Sequence, residues 1–217
     1  MIQAEKSLDI SFGMGLNGHM TYKEGIMEIS TNTYSAHDVA AAAQVSPATL
    51  QNWLKRGVIV GHGNDAIEGG GIQGKHRRFS FFALMQISVA AALIEASGGM
   101  QIKQAFYAAM TFAHSGHVAS GWTGDDGISD DDEPSRHASY PYHFRHGKTL
   151  LATVGGKTAI LLENGSGDTF GNIRAALQRA TGFTIIDAGE VFDRVCAALG
   201  EHPNTVLDAA YSDIEAD

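Results

Sequence analysis

The chain contains a single cysteine, Cys196, among its 217 residues. One cysteine excludes an intrachain disulfide and any zinc site built on several cysteines. A lone cysteine in an apolar setting behaves as a small hydrophobic residue, so we expect Cys196 on the apolar face of a helix. The cysteine content therefore gives no support to a redox function.

Long apolar runs and a secretion signal are also absent from the sequence. No charge-free apolar run reaches the roughly 18 residues that a membrane-spanning helix needs. The N-terminus lacks the basic, apolar and small-residue segments of a signal peptide. Hydrophobic residues make up 44% of the chain, which is enough for a packed core in one large or two small domains. We expect a soluble, cytoplasmic protein with no membrane partner.

Positive charge is scarce in the chain but concentrated in one stretch. The sequence has 15 basic and 24 acidic residues, for a net charge of −9. Residues 47–80 nevertheless carry a net charge of +3, which leaves −12 on the remainder. Such a basic stretch permits contact with DNA, because its cations attract phosphates while the acidic remainder is repelled.

The start of this region predicts two short helices joined by a tight turn. Ser35 can cap the first helix, with Asp38 three residues later to favour its positive end. Ser46 can cap the second helix, and Pro47 occupies the first helical position, where its missing N–H costs nothing. The chain must therefore turn sharply between Gln44 and Ser46.

The second helix separates apolar from polar side chains. Leu50, Trp53 and Leu54 fall at i, i+3 and i+4, which predicts one buried face. Asn and Gln can bond to adenine in the major groove, while Lys and Arg can bind guanine or phosphates. Gly57 is expected to end this helix. The side chains left for DNA are Thr49, Gln51, Asn52, Lys55 and Arg56.

A glycine-rich stretch with two apolar flanks follows. Residues 58–60 and 77–79 are predicted to be short strands on either side of a basic loop, the layout of a wing beside a recognition helix. The chain here resembles the MerR-like winged helix-turn-helix family over about residues 34–116, and the motifs that carry the resemblance are Val45, Ser46, Thr49 and Leu50, then Arg77, Arg78, Phe79 and Ser80. The implied DNA-binding residues are Ser46, Thr49, Gln51, Asn52, Lys55, Arg56, Lys75, His76, Arg77 and Arg78.

The chain also departs from the family pattern. Asn52-Trp53 replaces the aromatic pair usual in the recognition helix, and the wing loop is longer and richer in glycine. Gln51, Asn52 and Trp53 also look like the related head of phage small terminase subunits. The long dimerisation helix usual in MerR-type regulators is missing, so the family's coiled-coil dimer is not carried over.

The remaining sequence predicts two more helices and a separate C-terminal domain. Ser80 can cap an apolar helix over residues 81–96, and a second helix is predicted from about 100 to 114, with Ile102, Phe106, Met110 and Ala113 on its apolar face. Six acidic residues between 116 and 135 mark a solvated linker. Two strands are expected on either side of Gly155-Gly156, followed by a helix over 170–180, a strand over 183–186 and a helix over 188–199.

The predicted fold class is mainly α with small β, a winged helix-turn-helix head followed by a small α+β domain. The predicted divisions are an N-terminal arm over residues 1–33, the head over 34–118, an acidic linker and irregular segment over 119–146, and the C-terminal α+β domain over 147–217.

Two further motifs contain residue types that other chemistry would use. His137, His143 and His146 lie in one irregular stretch and could bind zinc or nickel, but they have no fixed ligand spacing and are expected to be solvated. Residues 155–158 (Gly-Gly-Lys-Thr) lack the full phosphate-loop spacing and are better explained as a hairpin turn. We therefore expect no catalytic residues, metal or cofactor.

Together these patterns predict a sequence-specific DNA-binding transcriptional regulator. It would bind double-stranded DNA as a homodimer through recognition helix 47–56 and wing 58–80, and the C-terminal domain would supply self-association or partner binding. The alternative is a DNA-recognition subunit of phage small-terminase type.

Overall fold

The computed structural model describes residues 29–59, 67–68, 77–116, 136–165 and 167–212. The fold is mainly α with a small β part, as predicted. The elements in chain order are β1 (Thr33–Ser35), α1 (Ala36–Ala42), α2 (Pro47–Lys55), β2 (Ile67–Glu68), β3 (Arg78–Ser80), α3 (Phe81–Ala96), α4 (Ile102–His114), a 3-10 turn (Phe144–His146), β4 (Lys148–Val154), β5 (Lys157–Glu163), α5 (Thr169–Ala176), β6 (Thr184–Asp187), α6 (Ala188–Leu199) and α7 (Pro203–Ala210).

Serine caps begin the first three helices where the sequence predicts them. Ser35 and Asp38 form a reciprocal capping box at the start of α1. The Ser46 hydroxyl accepts a hydrogen bond from the Thr49 N–H at 3.0 Å, with Pro47 in the first turn of α2. Ser80 caps α3 in the same way, accepting from Ala83 N–H at 3.2 Å. These local signals fix the helix starts independently of tertiary packing.

The first sheet differs from the predicted wing. Its strand order is β1-β3-β2, and β3 pairs antiparallel with both neighbours. The strand predicted over 58–60 is wrong in its described part: Val58 and Ile59 are not in a strand, and Val58 is instead buried in the core. Both edges of β3 are occupied by β1 and β2, which leaves no edge for that segment.

The last part of the predicted N-terminal arm belongs to the first sheet and the hydrophobic core. Thr33 pairs with Ser80, and Ile29 is buried. The Tyr34 hydroxyl donates a 2.7 Å hydrogen bond to the Ile29 carbonyl, which fastens this segment to the core. The remainder of the arm, residues 1–28, lies outside the described residues.

Helix α3 is the centre of the molecule. It is apolar on nearly all sides, and such a helix is stable only when other elements cover it. Helices α1, α4 and α6 and strand β6 all pack against it. Even its polar Gln86 and Ser88 are buried, and the Ser88 hydroxyl donates to the Leu84 carbonyl at 2.9 Å.

The second sheet has the order β5-β4-β6, with both neighbours antiparallel to β4. The predicted hairpin is confirmed, and its turn residues Gly155 and Gly156 have φ angles of 53° and 83°. Positive φ at both positions is typical of a type I′ turn, which glycine adopts without strain. Alternate residues of β4 face opposite sides, so Leu151 joins the main core while Leu150 joins a small cluster under α5.

One hydrophobic core joins the segments that the sequence assigns to head and C-terminal domain. Helix α6 packs on both α1 and α3, and Phe192 and Val195 are fully buried in the same cluster as Leu50 and Phe79. Cys196 is buried among them, as expected, and burial raises the pKa of its thiol to about 12. Removing the C-terminal segment would therefore expose core residues of α1 and α3.

The segment over 136–146, predicted to be irregular with solvated histidines, is largely buried. Ser139, Tyr140 and Tyr142 are inside. His143 is also buried, with its Nε2 atom 2.9 Å from Asp208 Oδ1, so the expectation of a solvated histidine is wrong at this position. The Phe192 ring of α6 packs against Tyr140, and the Tyr211 ring packs edge to face against His143.

Buried Arg136 holds this segment against the end of α4. Its guanidinium donates to the carbonyls of Phe112 at 3.1 Å and Tyr140 at 2.9 Å, and also to the Ser115 carbonyl. It lies over the Phe112 ring, 4.9 Å from the centroid. A cation at the C-terminal end of a helix also complements the helix dipole.

Several boundaries in the C-terminal half differ from the predictions. The helix expected from about residue 100 begins at Ile102, the helix over 170–180 is α5, and the strand over 183–186 is β6. Helix α7, which has Pro203 in its first turn, was not predicted. None of the described helices is long and apolar enough to cross a membrane.

Candidate nucleic-acid interface

The turn between α1 and α2 is a hydrogen-bonded C-terminal cap of α1. Gln44 has a positive φ of 55°, the Gln44 N–H bonds to Ala41 O at 3.1 Å, and the Val45 N–H bonds to Ala40 O at 3.0 Å. This is the hydrogen-bond pattern of a Schellman motif, in which glycine is the usual residue. The motif redirects the chain within three residues, so that α2 starts at once on Ser46 and Pro47.

Helix α2 is anchored through its apolar face. Leu50 and Trp53 are buried and Leu54 is half-buried, which confirms the predicted face. The Trp53 ring meets the Phe106 ring of α4 edge to face, with centroids 5.1 Å apart. Such packing fixes both the position and the rotation of α2.

The opposite face of α2 is polar and exposed to solvent. Gln51, Asn52, Lys55 and Arg56 are all exposed. Asn52 Oδ1 accepts a 3.1 Å hydrogen bond from Arg56 Nε, which holds the two side chains together. The bond uses only one guanidinium donor, so the terminal nitrogen atoms of Arg56 keep theirs for a phosphate or a base edge.

Ser46 and Thr49 lie at the start of this face. Their hydroxyl oxygens are 2.8 Å apart, and Ser46 also caps the helix. Both side chains are thus engaged in the helix start. One of the two hydroxyls donates in this contact, so only the other keeps its O–H to donate to a phosphate oxygen.

The basic residues of the predicted wing fall in three situations. Arg78 is exposed on β3, and its Nε donates to Thr33 Oγ1 at 3.2 Å. Arg77 is half-buried just before that strand. Lys75 and His76 lie outside the described residues.

The carboxylate of Asp38 offsets part of the positive charge near Arg78. The hydroxyl and backbone N–H of Ser35 donate to Asp38 Oδ2 at 2.7 and 3.0 Å, and these bonds lower the pKa of that carboxyl. The positive charge of Arg78 acts in the same direction. The carboxylate therefore stays charged at neutral pH, and the α1 cap and the exposed arginine form a mixed rather than purely basic surface.

Helix α6 also contacts the turn between α1 and α2, and sequence patterns did not reveal this contact. Arg194 donates from its terminal nitrogen to Gln44 Oε1 at 3.3 Å, across 150 residues of chain. The contact lies at the one residue of the turn with a positive φ. No local pattern could have indicated it, because the two residues meet only through the packing of α6 on α1.

No family model matches this chain, and no curated protein is similar to it at a significant level.

Proposed function

We propose that the protein is a sequence-specific DNA-binding transcriptional regulator that binds double-stranded DNA as a dimer through residues 47–56 and 58–80. The observation that carries the proposal is the two-sided character of α2. Leu50 and Trp53 anchor one side, while the other presents Gln51, Asn52, Lys55 and Arg56 to solvent. A short helix with this combination suits insertion into the major groove.

The exposed residues divide into two roles. Gln51 and Asn52 carry amides that can both donate and accept, so they are assigned to base edges. Lys55 and Arg56 at the end of the helix, with Arg78 on β3, are assigned to phosphates or guanine. The hydrogen bond between Asn52 and Arg56 orders both side chains before DNA arrives, which lowers the entropy lost on binding.

The distribution of charge supports one orientation on the duplex. Residues 47–80 carry +3 and the remainder of the chain −12. A phosphate backbone attracts the first and repels the second. The DNA would therefore lie against α2 and β3 and away from the acidic remainder.

Selection of bound fragments from random double-stranded DNA tests the proposal. The full chain should enrich one motif, and a two-fold symmetric motif would report a dimer with half-sites about one helical turn apart. The matched control is the full chain with Gln51→Ala and Asn52→Ala, which leaves the buried face of α2 unchanged and should lose the enrichment. Equal recovery of all sequences by the unmodified chain would contradict the proposal.

A further inference from the structure

Strand β5 forms one edge of the second sheet and is long and mainly aliphatic. It spans seven residues, Lys157–Glu163, and pairs only with β4 among the described strands. The other edge strand, β6, has four residues. An edge strand of this length offers a row of N–H and C=O groups to another strand.

The hairpin turn determines which groups of β5 point outward. Val154 and Lys157 flank the two-residue turn, where the closing pair exchanges hydrogen bonds. Hydrogen-bonded and non-hydrogen-bonded pairs then alternate along an antiparallel ladder. The backbone groups of Lys157, Ala159, Leu161 and Glu163 therefore bond to β4, while those of Thr158, Ile160 and Leu162 point outward.

This outward edge is complementary to itself. If two copies of β5 run antiparallel with Ile160 opposite Ile160, then Thr158 lies opposite Leu162, and every outward N–H and C=O finds a partner. The same register places Lys157 of one copy opposite Glu163 of the other, at both ends of the strand. Opposite charges directly across an antiparallel pair are favourable, and a shift of the register by two residues loses both ion pairs and part of the hydrogen bonding.

We propose that a second copy of this chain pairs with β5 along this edge, with a two-fold axis at Ile160 and a continuous sheet across the interface. Apolar surface continues beyond the turn, where Phe106, Tyr107 and Met110 of α4 line a cavity of about 420 Å³ with Gly156. Tyr107 is 56% exposed there.

The pairing would join two heads rigidly. The sheet packs through α3, α4 and α6 against the body that also holds α2, so the interface fixes the spacing of the two recognition helices. The inference rests on the proposed function for the role of a dimer. The association itself is measured without DNA, so its failure and the failure of DNA recognition remain distinguishable.

Charge reversal at the two ends of β5 provides the test, in analytical ultracentrifugation of the full chain. Lys157→Glu and Glu163→Lys each create two like-charge pairs in the proposed dimer, and each should weaken dimerisation about tenfold. An equimolar mixture of the two variants has only opposite-charge pairs and should form heterodimers as stable as the unmodified dimer. The double variant Lys157→Glu/Glu163→Lys should likewise form a homodimer.

The equimolar mixture distinguishes a loss of contacts across the interface from a loss of contacts within one chain. Lys157 bonds to Gln178 and Glu163 lies opposite Lys148 within the chain, and these contacts are as altered in the mixture as in each variant alone. Arg174→Glu makes the same change in net charge as Lys157→Glu at an exposed position of α5 and should leave dimerisation unchanged. A monomeric unmodified chain, single variants that dimerise normally, or a mixture that stays monomeric would each overturn the proposal. If a single variant does not fold, a monomeric double variant overturns it as well.

Discussion

Replacing Trp53 with alanine tests how firmly α2 is anchored. The indole is 4% exposed and lies edge to face against Phe106 at 5.1 Å. Truncation of a buried tryptophan costs about 3–5 kcal/mol, of which the aromatic pair accounts for about 0.5–1.5 kcal/mol. For a protein of this size, such a loss corresponds to a fall in melting temperature of about 6–20 °C.

Thermal melting and urea denaturation of the full chain measure this effect. Trp53→Phe is the matched control, because it keeps an aromatic ring against Phe106 and should lose less than half as much stability. A double-mutant cycle of Trp53→Ala with Phe106→Leu should give a coupling of about 0.5–1.5 kcal/mol. A melting temperature of Trp53→Ala within a degree or so of the unmodified protein would refute the anchored position of α2.

Three further outcomes follow from particular contacts. Arg136→Met should lower the free energy of unfolding by about 2–4 kcal/mol in urea, because the buried carbonyls that it bonds, such as that of Phe112, lose their donor; a loss below about 1 kcal/mol would argue against this. Hydrogen bonds from Ser35 lower the pKa of Asp38 from 3.8, so the stability contributed by its charged form is present above that unfolded value and is lost as pH falls through the folded pKa. Melting temperatures between about pH 5 and pH 3 should therefore fall more steeply for the unmodified chain than for Asp38→Asn, and parallel curves would contradict the capping box as their source. Arg78→Ala should weaken binding to all DNA sequences and reduce the salt slope by about one unit, whereas an unchanged slope in a salt titration would exclude a phosphate contact.

Local signals in the sequence predicted the helices well. Ser35, Ser46 and Ser80 each mark a helix start that the structure confirms, and Gly155-Gly156 marks the hairpin turn. These features depend on hydrogen bonds or φ angles within a few residues, so the local sequence is enough to predict them. The buried face of α2 was predictable for the same reason, since helical spacing alone places Leu50 beside Trp53.

Features that depend on distant contacts could not be predicted. Strand β1 is three residues long, and it becomes a strand only because Tyr34 lies opposite Phe79. Arg136 follows an acidic run, which in the sequence is typical of a solvated residue. In the structure it is buried, and its guanidinium donates to a carbonyl near the end of α4. The packing of α6 on α1 and α3 likewise depends on tertiary contacts. The acidic stretch therefore indicated a domain boundary, although residues before it and after it share one hydrophobic core.

The proposed role of α2 in reading DNA is tested most directly by comparing two affinities at one salt concentration. The full chain and its Asn52→Ala variant are each titrated with the motif recovered by selection and with a scrambled duplex of equal composition. The substitution should cost about 1–3 kcal/mol on the motif and much less on the scrambled duplex, because Asn52 is assigned to a base edge. Equal losses on the two duplexes would contradict base recognition by this face of α2.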